Sequence, residues 1–136
     1  MRKLIYSLFA LSLLVSCDKD DDKVTTNTDK ELLEMSVKTD GFVWYKKSDA
    51  LLPKSSGSAH NYTYLKTRFN SVAATQLTEE GKVKEGAIFP EGSLIVKELR
   101  NDAASVARYA VLYKKPSHEY ADAKGWVWGY QSRQQQ

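Results

Sequence analysis

The feature that most constrains the fold is a recurring strand pattern. Asn61 to Phe69 (NYTYLKTRF) alternates, with Tyr62, Tyr64, Lys66 and Arg68 on one side and Thr63, Leu65, Thr67 and Phe69 on the other. A period of two belongs to a strand with two different faces. Ser93 to Leu99 (SLIVKEL), Val106 to Tyr113 (VARYAVLY) and Trp126 to Tyr130 (WVWGY) are rich in β-branched and aromatic residues, and Phe42 to Tyr45 (FVWY) reads the same way. Turn chemistry separates these runs: Phe89-Pro90-Glu91-Gly92, Asn101-Asp102, and a loop from Lys114 to Lys124 that holds Pro116. Leu51 to Ala59 (LLPKSSGSA) and the charged stretch Glu79 to Glu85 read as loops as well.

Two helices are expected among the strands. Thr28-Asp29-Lys30-Glu31 fits a capping box with Thr28 as N-cap and Glu31 at the third helical position. Leu32, Leu33, Met35 and Val37 then give a short apolar face, so the spacing predicts a helix over Asp29 to Lys38, stopped by Asp40-Gly41. Asn70 can cap a second helix, Ser71 to Leu77. Strands in series with two short helices argue an α+β fold, mainly β: an antiparallel sheet with helices on one face or at one end. Residues 29–136 are enough for one compact domain, and no internal repeat is evident.

The N-terminus gives an address. Arg2 and Lys3 precede an apolar stretch, Leu4 to Val15, which is about the length of a signal-peptide core and too short for an ordinary transmembrane helix. It ends in Leu14-Val15-Ser16-Cys17, which resembles the bacterial lipobox, where cleavage precedes a cysteine whose thiol carries a lipid. Cys17 is the only cysteine, so it has no disulfide partner within the chain. The expectation is a signal peptide at 1–16, a lipidated Cys17 opening an acidic tether at 17–28, and stable anchoring by two or three acyl chains. Asp18 to Lys23 (DKDDDK) reads as a solvated tether, and its Lys-Asp-Asp-Asp resembles the surface-export signal of Bacteroidota lipoproteins. The expected location is the outer membrane or cell surface of a diderm bacterium, with inner-membrane retention the alternative because Asp follows Cys17. Cleavage removes two positive charges from a formal +3, leaving +1. A nearly neutral mature chain gives no electrostatic argument for nucleic-acid binding.

Chemistry-bearing constellations are few. His60 and His118 fall in expected loops, where a lone histidine is usually solvated. No HExxH, CxxC, GxSxG or phosphate-binding glycine loop occurs. Three Trp and eight Tyr are many for this length; they fill a core or wall a pocket for a flat ligand. Alternation in LIVKEL puts Leu94, Val96 and Glu98 on one face and Ile95, Lys97 and Leu99 on the other, so either charge could point inward, and a buried Lys97 would need a partner or a function.

Together these pieces resemble one family. Phe89-Pro90-Glu91-Gly92-Ser93-Leu94-Ile95-Val96-Lys97-Glu98 is similar to the FPxGxxxVKE signature of cytochrome P460-type domains. Trp44 to Lys47, Ser58, His60 and Arg68-Phe69-Asn70 are similar to the family's upstream elements, and Gly125-Trp126-Val127-Trp128 to its downstream GDWxW segment. The resemblance covers about Phe42 to Tyr130, with Phe89, Pro90, Gly92, Lys97, Glu98, Trp126 and Trp128 as its motif positions. It implies a mainly antiparallel β fold that carries a c-type haem and performs electron transfer or hydroxylamine and nitrogen-oxide chemistry. The family's CxxCH has no counterpart here, since SRQQQ follows WVWGYQS. The expectation is a C-terminally truncated, haem-free and enzymatically inactive P460-like domain, with no covalent cofactor and no metal. His60, Lys97, Lys114 and His118 are the candidates for any haem contact. The alternative is a haem-free surface module that binds a small ligand or a partner protein, and a redox partner is the third kind of partner implied.

Overall fold

The computed structural model describes residues 26–132; the expected signal peptide at 1–16, Cys17 and the acidic run lie outside the described residues. The fold is α+β and mainly β, as the alternation predicts. The elements are α1 (Asn27–Ser36), β1 (Val43–Trp44), β2 (Leu52–Pro53), β3 (Tyr64–Phe69), α2 (Ser71–Ala74), β4 (Leu94–Arg100), β5 (Arg108–Lys114) and β6 (Trp126–Ser132). All six strands join one antiparallel sheet in the order β1-β3-β4-β5-β6, with β2 also paired to β3. Consecutive β4, β5 and β6 form an antiparallel meander, joined by the turn that opens at Asn101-Asp102 and by the longer loop that holds Pro116.

Several boundaries differ from the sequence reading. α1 starts two residues earlier, capped by Thr26 rather than Thr28. Thr26 Oγ1 accepts from the Asp29 N–H at 3.1 Å, and Asp29 Oδ2 accepts from the Thr26 N–H at 2.9 Å. Thr-x-x-Asp closes the box because Asp29 reaches back from the third helical position; Glu31 does not take part. α2 is a single turn ending at Ala74, not Leu77. Its cap is Asn70, as expected, and that side chain does more: Oδ1 also accepts from Leu94 N–H at 3.0 Å and Nδ2 donates to Gly92 C=O at 2.9 Å. The chain leaving β3 is thus tied to the chain entering β4. Leu52–Pro53 pairs as a short edge strand inside a segment expected to be loop. FVWY keeps only two strand residues, because the chain tightens into a 3-10 turn at Tyr45–Lys47. There Lys46 and Lys47 both adopt φ 54°, a left-handed conformation costly for non-glycine residues. The turn is held where Lys46 N–H donates to Gly81 C=O at 2.9 Å.

The two sheet faces are covered differently. On face A, α1 lays Leu32 against Leu94, Val96, Val111 and Val127. Burying Leu32 contributes about 2 kcal/mol. On face B, α2 covers only one end, where Phe69 and Ile95 meet Ala73 and Leu77. The rest of face B is open.

Candidate functional site

The strand register builds the open part of face B. It aligns Phe69, Ile95, Leu112 and Trp128 in one row, Thr67, Lys97, Ala110 and Tyr130 in the next, and Leu65, Leu99, Arg108 and Ser132 in a third. Thr67 and Ala110 are short, so the middle row is a trough with Lys97 at its centre. Three segments line it besides the strands: Ser58 and His60 before β3, Tyr45 and Lys46 in the turn after β1, and Val83 between α2 and β4. The result is a groove of about 770 Å³, inside the roughly 300–1,000 Å³ of small-molecule sites. Trp128 forms its far rim and is 59% exposed, so this tryptophan does not fill a core.

The two neighbouring charges of β4 part company. Glu98 points into face A and is 7% exposed. There Glu98 Oε1 accepts from Arg68 Nη1 at 2.6 Å and Oε2 from Arg100 Nη2 at 2.6 Å. Arg68, 1% exposed, also donates through Nε to Lys38 C=O at 2.9 Å and through Nη2 to Ser36 C=O. It therefore clasps the C-terminal end of α1 to the sheet. Burial pushes the Arg68 guanidinium below its ordinary value, with Glu98 opposing that shift. Lys97 emerges on face B. Among the described residues both ion pairs go to Glu98, so the Lys97 ammonium has no ionic partner there.

The four candidate haem contacts fall into two pairs. His60 and Lys97 line the groove. Lys114 does not; its ammonium donates to Lys124 C=O and lies 5.2 Å from the centre of the Trp126 ring. His118 belongs to the other side of the sheet, where Nε2 lies 3.5 Å from Thr28 Oγ1 of α1 and Nδ1 accepts from Tyr120 N–H at 3.1 Å. Neither histidine is the freely solvated loop residue expected from sequence: both are half-buried, and His60 Nδ1 is fully buried without a hydrogen-bond partner. That nitrogen is closed to a ligand in the groove. Covalent c-type haem does not fit these residues, because two thioethers need two cysteines and the chain has one. Among the described residues no group of three or more His, Cys, Asp or Glu is placed to hold a metal ion, and no helix is long and apolar enough to cross a membrane.

The remaining motif positions are spread over the fold. Phe89 packs edge-on against Trp126 with ring centres 5.7 Å apart. Pro90 C=O accepts from Ser93 N–H at 3.1 Å, and Gly92 at φ +86° turns the chain into β4. Sequence reasoning missed Leu65, Thr67, Ala110 and Tyr130 as groove residues. Alternation gave the right face for Leu65 and Thr67, but which strands lie side by side was not readable from it. No family model matches the chain, and no curated protein or solved structure matches it.

Proposed function

We propose that this chain is a membrane-anchored lipoprotein whose cytochrome P460-like domain is a haem-free binding module, taking a small ligand with a flat apolar body and an anionic group. The observation that carries the reading is Lys97: an exposed cation without an ionic partner among the described residues, set in the middle of an apolar trough. A lysine on an open sheet face ordinarily sits among polar neighbours. Here its row is flanked by Phe69, Ile95, Leu112 and Trp128 on one side and by Leu65, Leu99, Arg108 and Ser132 on the other. Phe69, Ile95 and Leu99 are already buried, so an apolar body would cover Leu112 and Trp128, an acidic group would pair with the ammonium, and the exposed Trp128 ring offers a stacking surface. The P460-like scaffold is supported by the FPEGSLIVKE block, whose turn and strand residues serve the turn into β4 and the groove floor. The anchor is supported by the order of charge, apolar stretch and Cys17.

The test is titration with 8-anilinonaphthalene-1-sulfonate, a planar amphipathic anion, read by tryptophan quenching. Lys97→Gln is expected to weaken binding about tenfold, about 1.4 kcal/mol. Probe binding that Lys97→Gln and Trp128→Ala both leave unchanged would place the ligand elsewhere and refute the reading. Added haem that gives a Soret band abolished by His60→Ala would favour the family's haem role instead.

A further inference from the structure

The two edges of the sheet are built differently. On the β3 side the edge is broken up. Its outer strands, β1 and β2, have two residues each, β2 contains Pro53, and the tight turn at Tyr45–Lys47 follows β1. Short strands, proline and kinks are the usual means of preventing strand addition. On the other side, β6 is a seven-residue edge strand, WVWGYQS, with no charge and no proline.

The phase of the ladder shows which groups that edge presents. Lys115 N–H donates to Gly125 C=O at 2.9 Å, so in the β5–β6 register Val127, Gly129 and Gln131 turn their backbone groups toward β5. Trp126, Trp128 and Tyr130 turn theirs outward. The Trp126 groups are already taken: its N–H donates to Asp122 Oδ1 at 2.9 Å, and its C=O accepts from Asp122 N–H at 2.9 Å. Trp128 and Tyr130 are left at the open edge, 59% and 51% exposed.

We infer that this edge pairs with the same edge of a second copy of the chain, as an antiparallel β6–β6 ladder centred on Gly129. Two aromatic residues, Trp128 and Tyr130, flank that point. Antiparallel pairing there sets Trp128 opposite Tyr130 of the second copy, and Tyr130 opposite its Trp128. The outward N–H and C=O groups then bond in two reciprocal pairs. The aromatic side chains of each pair share face B, where cross-strand aromatic neighbours stabilise a sheet. Gly129 meets its own counterpart at the closest point of the ladder, a pair with no hydrogen bond between its two residues. The two grooves become neighbours along one continuous sheet.

The test uses the full chain carrying Cys17→Ser, which removes its only cysteine, in a detergent matched for buoyant density. Sedimentation equilibrium should give the mass of two chains. Trp128→Lys, which puts a charge at the edge, should return it to one chain with an unchanged circular dichroism spectrum. In the same background Gly129→Cys should form a disulfide dimer under mild oxidant, while Ser105→Cys, in the exposed turn between β4 and β5, should not. The Gly129 change is tolerable, since a Cβ there meets Leu32 Cδ1 at 3.4 Å. A one-chain mass for the Cys17→Ser chain overturns the inference and leaves the edge to a strand of another protein. So does a dimer that Gly129→Cys fails to cross-link.

Discussion

Arg68 and Lys97 are both basic residues on neighbouring strands, paired through the register Thr67↔Lys97 and Arg68↔Val96, yet they meet opposite fates. Arg68 faces α1 and spends its donors on Glu98, Ser36 and Lys38, with Phe42 and Trp44 rings about its guanidinium at 5.7 and 5.5 Å. Removing it leaves a buried carboxylate with one fewer partner and two freed helix-end carbonyls. Arg68→Ala is therefore expected to lower the unfolding free energy by about 3–5 kcal/mol, measured by urea denaturation. Lys97→Ala is expected to change it by no more than about 0.5 kcal/mol, because that side chain has solvent around it. Arg68→Lys should recover little, since its donors sit on one nitrogen and cannot reach three acceptors met here by Nε, Nη1 and Nη2 of a planar guanidinium. Equal losses at both sites would refute this division of roles. Glu98 and Lys97 were legible in the sequence as residues of opposite faces. Which face is sealed was not, because that depends on where α1 packs.

At the scale of the element, α1 shows how local chemistry sets a boundary. Its capping box holds the Asp29 carboxyl below its ordinary value of 3.8, first through the Thr26 hydroxyl and then through the Thr26 N–H. The Asp122 carboxyl is likewise lowered, chiefly by the Trp126 N–H, with burial opposing and the Lys124 N–H adding to the lowering. A lowered folded value means the unfolded chain takes up protons first. The stability these groups contribute is whole above their ordinary values and is lost as pH falls through the lower folded ones. Thermal melts should thus show a falling midpoint below about pH 4, and Asp29→Asn should flatten that dependence. Thr26→Ala should cost about 1 kcal/mol at neutral pH; no loss would assign the cap elsewhere. Thr26 with Asp29, the box the structure uses, has the same spacing as Thr28 with Glu31, the box expected from sequence. Both satisfy the local rule. The second would begin the helix two residues later. In the fold observed, Thr28 instead lies beside His118, 90 residues away, a contact no local pattern encodes.

For the whole molecule, the sheet divides its labour between faces and edges: face A is closed by a helix and a buried arginine, face B stays open around Lys97, and β6 is the edge left unblunted. The proposed anchor belongs to this scale, since it sets where the open face works. Radiolabelled palmitate should be incorporated by the wild-type precursor in a diderm host and lost in Cys17→Ser. Label retained by Cys17→Ser would rule out this attachment. The sequence by itself determined the class of fold, the central strand LIVKEL with its two-sided charges and the Asn70 cap, because alternation and capping are properties of neighbours along the chain. Only the tertiary structure decided that Thr67, Lys97, Ala110 and Tyr130 form one row, that His60 and Lys97 share a groove while His118 and Lys114 do not, and that Arg68 ties α1 down. Those facts depend on strand order, on register and on where α1 packs. All three follow from how the whole chain buries its apolar surface.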